Sequence, residues 1–119
     1  MDQRAGRLHD YTDLREWLEI AAQLRLLKRI DGASWDLEIG AITEMEKRRG
    51  REKSSVLLFD NTPGYPKGFR VAANCANCLP LVAVSLGMAP TLTGLEFVRI
   101  WKDRMREYAP LPPTSVANG

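Results

Sequence analysis

Histidine is almost missing from this 119-residue chain: the only one is His9. It lies in a polar opening stretch, Met1 to Asp10, which reads as a frayed tail, so a Ser-His-Asp set is not expected. Cysteine is scarce as well, with only Cys75 and Cys78. Two cysteines do not make a disulfide scaffold, and they fit a reducing, cytoplasmic setting. No apolar run approaches the ~20 residues that cross a bilayer. The opening stretch also lacks the apolar core of a secretory signal. Neither sign of charge is in excess, with 17 Lys and Arg against 15 Asp and Glu. Basic residues gather at Lys47, Arg48, Arg49 and Arg51, and again at Arg99, Lys102, Arg104 and Arg106. Glu44, Glu46, Glu52, Asp103 and Glu107 are interleaved with them. That interleaving marks solvated helix faces rather than a nucleic-acid surface. A nucleophile elbow, a phosphate loop and a dinucleotide fingerprint are all missing.

What is present suits a single globular domain with tails. Hydrophobic residues make up 45% and charged residues 27%, ordinary values for a soluble fold with one core. Thr12 is an N-cap candidate, and Leu14, Trp17, Leu18, Ala21 and Leu24 recur at helical spacing, predicting a helix from Thr12 to Arg25. Its stripe is core, which makes Trp17 a packing residue. Leu26 to Ile30 reads as a short strand broken by Asp31 and Gly32. Ser34 is a second N-cap, and Leu37, Ala41, Ile42 and Met45 predict a helix to Arg49, ended by Gly50. Glu38 and Glu44 lie six apart on it and share no face, so each is expected to be solvated or to complement the helix dipole.

The centre of the chain is Val56 to Asn74. Val56 to Phe59 is a continuous apolar run, the pattern of a strand covered on both faces. Asn61 to Gly68 is dense in turn formers, and Phe69 to Ala73 reads as a returning strand. The exposed Tyr65, Pro66 and Phe69 make a candidate partner surface. Pro80 suits a first helical turn, with Leu79, Val82, Ala83 and Leu86 as the expected buried face and Gly87 as the stop. Thr93 and Glu96 fit a capping box that opens a helix to Glu107. The prolines of Ala109 to Gly119 predict an extended connector. The expected architecture is α/β: a small sheet covered by amphipathic helices, spanning residues 11–108.

One short motif invites chemistry. Cys75-Ala76-Asn77-Cys78 has the spacing of a metal or redox pair. A zinc site needs two further ligands that the sequence does not supply nearby. A redox pair needs a thiol whose pKa is lowered at a helix N-terminus. The plain alternative is two small thiols in a strand-to-helix turn. Composition and spacing therefore point to no self-contained catalytic, cofactor-binding or metal site.

Taken in order, several segments resemble the N-terminal region of the UbiD family of prenylated-FMN-dependent (de)carboxylases. Asp13 to Leu18 (DLREWL) resembles the family's opening helix, Leu27 to Ile30 the strand after it, and Asp36 to Ile42 (DLEIGAI) the next helix. Leu57 to Asn61 with Gly64, Tyr65 and Pro66 resembles its L-L-F-[ED]-N…G-[YF]-P element. Val71 to Asn74 matches its strand ending in Asn, and Leu86 to Met88 its helix end. Pro113, Val116 and Gly119 resemble the entry to the next domain. The chain departs from the pattern at Cys75 to Cys78, where many members have an Asn-Leu-Phe-Gly-like turn.

The resemblance implies a three-part, oligomeric carboxy-lyase acting on aromatic or α,β-unsaturated acids. Its flavin-binding barrel and C-terminal domain would be the partners of this domain. Prenylated FMN, a divalent metal of the manganese type and potassium would all be bound outside residues 1–119, as would the catalytic residues. On that reading residues 109–119 lead towards a flavin-binding barrel, and the chain alone is expected to be inactive. The alternative is a stand-alone accessory subunit that docks on a separate catalytic chain.

Overall fold

The computed structural model describes residues 11–50 and 54–117. The expectations for the opening tail and His9, and for Arg51, Glu52 and Gly119, lie outside the described residues. The elements follow the expected order: α1 (Leu14–Gln23), β1 (Leu27–Asp31), α2 (Glu38–Lys47), β2 (Val56–Asp60), β3 (Val71–Ala73), α3 (Leu79–Ser85) and α4 (Gly94–Glu107). The strands form one three-stranded sheet in the order β1-β2-β3. β1 and β2 are parallel, with Leu27 opposite Val56 and Asp31 opposite Asp60. Parallel neighbours need a crossover, and α2 supplies it. β3 returns antiparallel, with Leu57 opposite Ala73 and Phe59 opposite Val71. The α/β architecture read from the sequence is the one observed.

The centre of the sheet explains why Val56 to Phe59 is apolar at every position. Successive side chains of a strand point to opposite faces, and here each face meets helices. Val56 and Leu58 pack with Trp17, Leu18 and Ala21 of α1 and with Leu81 and Val84 of α3. Leu57 and Phe59 pack on the other face with Ala33, Ile30, Ile39 and Ile42. Burying each of these large side chains contributes about 1.5–3 kcal/mol. Trp17 is a packing residue, as expected, and its Nε1 donates to Ser85 Oγ at 3.0 Å. The Tyr11 hydroxyl donates to the Ser85 carbonyl at 2.7 Å, a second tie between the start of α1 and the end of α3.

Helix ends and faces differ from the sequence reading in instructive ways. Asp13, not Thr12, caps α1: its Oδ1 accepts from the Glu16 amide at 3.0 Å. Leu14, placed on the core stripe by spacing, is exposed in the first turn. α1 closes in a Schellman arrangement, with Leu26 N–H on Ala21 O and Arg25 N–H on Ala22 O. Arg25 takes the left-handed position there, at φ 59°.

α2 begins at Glu38 rather than Ser34. Leu37 has φ 65°, and Glu38 N–H bonds Asp36 O across it, a γ-turn that delays the helix. Ser34 caps the preceding turn instead, accepting from Asp36 N–H at 3.2 Å. The helix is consequently rotated from the expected phase. Leu37, Ala41 and Met45 face solvent, whereas Ile39, Ile42 and Glu46 face inward. Glu38 and Glu44 do sit on the exposed side: Glu38 accepts from Ser34 N–H, and Glu44 pairs with Arg48 at 3.1 Å.

In α3 the fully buried side chains are Leu81, Ala83 and Val84. Of the expected set Leu79, Val82, Ala83 and Leu86, only Ala83 is buried to the same degree. Pro80 lies in the first turn as expected. Gly87, at φ 69°, takes the left-handed position after the helix, with its N–H on Val84 O and Met88 N–H on Ala83 O. α4 opens with the expected capping box: Thr93 Oγ1 accepts from Glu96 N–H, and Glu96 Oε2 accepts from Thr93 N–H. Its apolar positions Leu95, Val98, Trp101 and Met105 stay exposed, and none of its residues is buried. α4 therefore stands beside the core rather than covering the sheet, tethered by Arg104 Nη1 donating to Leu86 O.

Candidate functional site

The polar centre of the fold is Glu46, which the sequence reading placed among solvated charges. Its carboxylate is buried between α2, β1 and the entry to β2. It accepts from Lys28 Nζ at 2.9 and 3.1 Å and from the Ser55 amide at 2.9 Å, with Arg49 Nη1 at 3.5 Å. Burial by itself pushes the Glu46 pKa up. The Lys28 hydrogen bond, the Ser55 N–H and the charges of Lys28 and Arg49 together outweigh burial and hold the carboxyl below its ordinary value. A carboxylate kept charged and fully hydrogen-bonded serves to position the strands and is poorly suited to take up a proton. The signal available in the sequence was its place one turn after Ile42 on the inward face.

The Asp60-Asn61 pair at the end of β2 also has a structural task. Asn61 Nδ2 donates to Asp31 Oδ1 at 2.7 Å, and Gly32 N–H donates to Asp60 O at 3.0 Å. The two parallel strands are thus clasped where they end. Cys75 and Cys78 belong to the core side of α3. Cys78 is buried at the N-cap position, Cys75 is half-buried against the same cluster, and both are free thiols. Burial pushes the Cys75 thiol up, only partly offset by its own backbone N–H. That is the opposite of the activation a redox thiol needs. Among the described residues no group of three or more His, Cys, Asp or Glu side chains could hold a metal ion.

A further candidate is a surface at the β3 edge. Tyr65 and Phe69 are 52% and 66% exposed, and they are joined by Trp35 at 64%, which the sequence reading did not single out. With Ile39, Thr62 and Val71 they line a cleft of about 240 Å³ on one face of the sheet edge. A second cleft of about 480 Å³ opens on the other face, lined by Arg15, Leu18, Leu58, Ala72 and Asp13. Arg70 borders both. The γ-turn at Leu37 and the loop after β2 bring Trp35 and Tyr65 together, residues thirty apart in sequence.

The family follows from comparison with known proteins. The model of the 3-octaprenyl-4-hydroxybenzoate carboxy-lyase N-terminal domain, UbiD_N, matches residues 18–101. The chain belongs to this family. No curated protein sequence matches it. Solved structures of vanillic acid decarboxylase from Sedimentibacter hydroxybenzoicus share its fold. The open form with truncated ShVdcD gives a TM-score of 0.76 at 24% identity, covering 91% of this chain and 22% of that one. The open form without that truncation gives 0.73 at 24% identity, and the closed form 0.70 at 23%, with the same coverage. The chain thus spans 22% of the length of those decarboxylase chains. Among the described residues no helix is long and apolar enough to cross a membrane.

Proposed function

We propose that this chain is the N-terminal supporting domain of a UbiD-type carboxy-lyase that (de)carboxylates aromatic or α,β-unsaturated acids with prenylated FMN. The family match over residues 18–101 carries the reading. The likeness of fold to a part of vanillic acid decarboxylase supports it. The described residues do not fit the flavin's metal: Asp31 and Asp60 each accept from Asn61, and no third ligand joins them. On this reading prenylated FMN, the manganese-type divalent ion and potassium belong to the remainder of the enzyme. This domain contributes a rigid clasped sheet and an exposed aromatic edge on which the remainder docks. The connector from residue 109 leads towards that remainder, and the working enzyme is oligomeric and cytoplasmic.

The test uses the purified 119-residue chain, titrated with prenylated FMN and followed by flavin fluorescence and by CO2 release from a cinnamic-type acid. The expected result is neither flavin binding nor turnover. Turnover by the chain alone would overturn the supporting role. The exposed Trp35, Tyr65 and Phe69 also suit an accessory subunit on a separate catalytic chain. Co-elution with a separately encoded flavin-binding chain, in place of a covalent continuation, would favour that second reading.

A further inference from the structure

β3 is the edge strand of the sheet in the described residues. Among the described residues it pairs only with β2, and no turn or loop hydrogen bond reaches its outer backbone groups. Such an edge is a template for another strand unless it is blunted by charge, by proline or by a covering element. Here it is only three residues long, so a ladder alone would hold a partner weakly.

The clefts on its two faces supply what the ladder lacks. Side chains of an added strand alternate between the two faces of the sheet. On the face of Val71, they would enter the apolar cleft of Trp35, Ile39, Tyr65 and Phe69. On the face of Ala72, they would enter the cleft that carries Arg15 and Arg70. Neither guanidinium has an ion-pair partner among the described residues. The one acid beside them, Asp13, already accepts from the Glu16 amide as the α1 cap. A free backbone edge flanked by alternating pockets of different chemistry is the arrangement by which strands are added to sheets.

We propose that the outer edge of β3 takes up an extended segment of the larger carboxy-lyase as a fourth strand, its side chains alternating acidic and apolar. The acidic ones face Arg15 and Arg70, and the apolar ones fill the aromatic cleft. A second copy of this chain is disfavoured as the occupant, because pairing β3 with itself would bring four guanidiniums together. The inference rests on the proposed function only for the source of the strand.

The probe is a peptide of about six residues, a mean strand length, alternating valine and glutamate. It is titrated into the isotope-labelled chain and followed by backbone amide shifts. The expected shifts centre on residues 69–74. A lysine-for-glutamate version binds more weakly, and N-methylation of alternate peptide bonds weakens binding roughly tenfold, the loss of one or two net hydrogen bonds. The exposed double variant Arg15→Glu with Arg70→Glu reverses the preference between the glutamate and lysine peptides. The proposal is overturned by no binding, by shifts centred elsewhere, or by equal binding of the two charge versions. It is likewise overturned by indifference to N-methylation, or by dimerisation of the chain alone through β3. The assay reads neither flavin nor CO2, so its failure leaves the carboxy-lyase reading intact, and turnover by the chain alone would leave the edge intact.

Discussion

At the scale of residues, Glu46 does the most to join separate elements. Its carboxylate ties α2 to Lys28 of β1 and to Ser55 at the start of β2. Lys28 is 40% exposed on its side chain, so removing the carboxylate leaves a lysine that can turn to water. The larger loss is the Ser55 N–H, which stays buried without its charged acceptor. Glu46→Gln is expected to destabilise the chain by about 1–2 kcal/mol at neutral pH, measured by urea unfolding. The pH dependence follows from the direction of the shift. The folded-state pKa lies below the ordinary carboxylate value, so the contribution is complete above that value and is lost as pH falls through the folded one. The gap between wild type and Glu46→Gln should be widest near pH 7 and should narrow in acid. A gap independent of pH would mean that the amide loses packing and not charge.

At the scale of elements, β2 and α4 mark the two extremes. β2 is covered on both faces and shares its ladder with both neighbours. Leu58→Ala should cost about 3–4 kcal/mol through lost transfer energy and an unfilled cavity. That is a large part of the total stability of a domain this size, so a strongly lowered urea midpoint is expected. α4 has an intact capping box but buries no residue. Thr93→Ala should therefore speed amide exchange in the first turn of α4 and leave the global midpoint nearly unchanged. A global loss comparable to that of Leu58→Ala would show that α4 folds as one unit with the sheet.

The whole molecule is flatter and wider than its length requires. The radius of gyration is 17.5 Å, with extents of 50 × 46 × 22 Å. A compact chain of this length is expected near roughly 13–14 Å. α4 and residues 109–117 leave Leu95, Val98 and Leu111 in solvent. Residues 109–117 hold no helix or strand and are exposed throughout. Truncation after Tyr108 should leave the thermal midpoint of the core unchanged, measured by circular dichroism. A loss of several degrees would show that the segment packs on the domain. Apolar side chains are left exposed on its rim.

Much of this was legible in the sequence, for local reasons. The order of the elements, the doubly covered β2, the Pro80 start, the Gly87 stop and the Thr93 capping box all depend on residues within a few positions of one another. Backbone propensity and hydrophobic period act at that range. The ordered motifs from Asp13 to Met88 also carried the family. What the sequence left open was set by contacts between distant segments. Spacing on α2 put Met45 inward and Glu46 outward; the γ-turn at Leu37 and the reach of Lys28 and Ser55 reversed them. Spacing alone could not show that α4 stays uncovered, because an amphipathic stripe states a need for burial and not what answers it. Nor could it show that Trp35, Tyr65 and Phe69 meet at the β3 edge, or that Arg15 and Arg70 share a cleft. Those positions lie on different elements, and only the closing of the sheet brings them together.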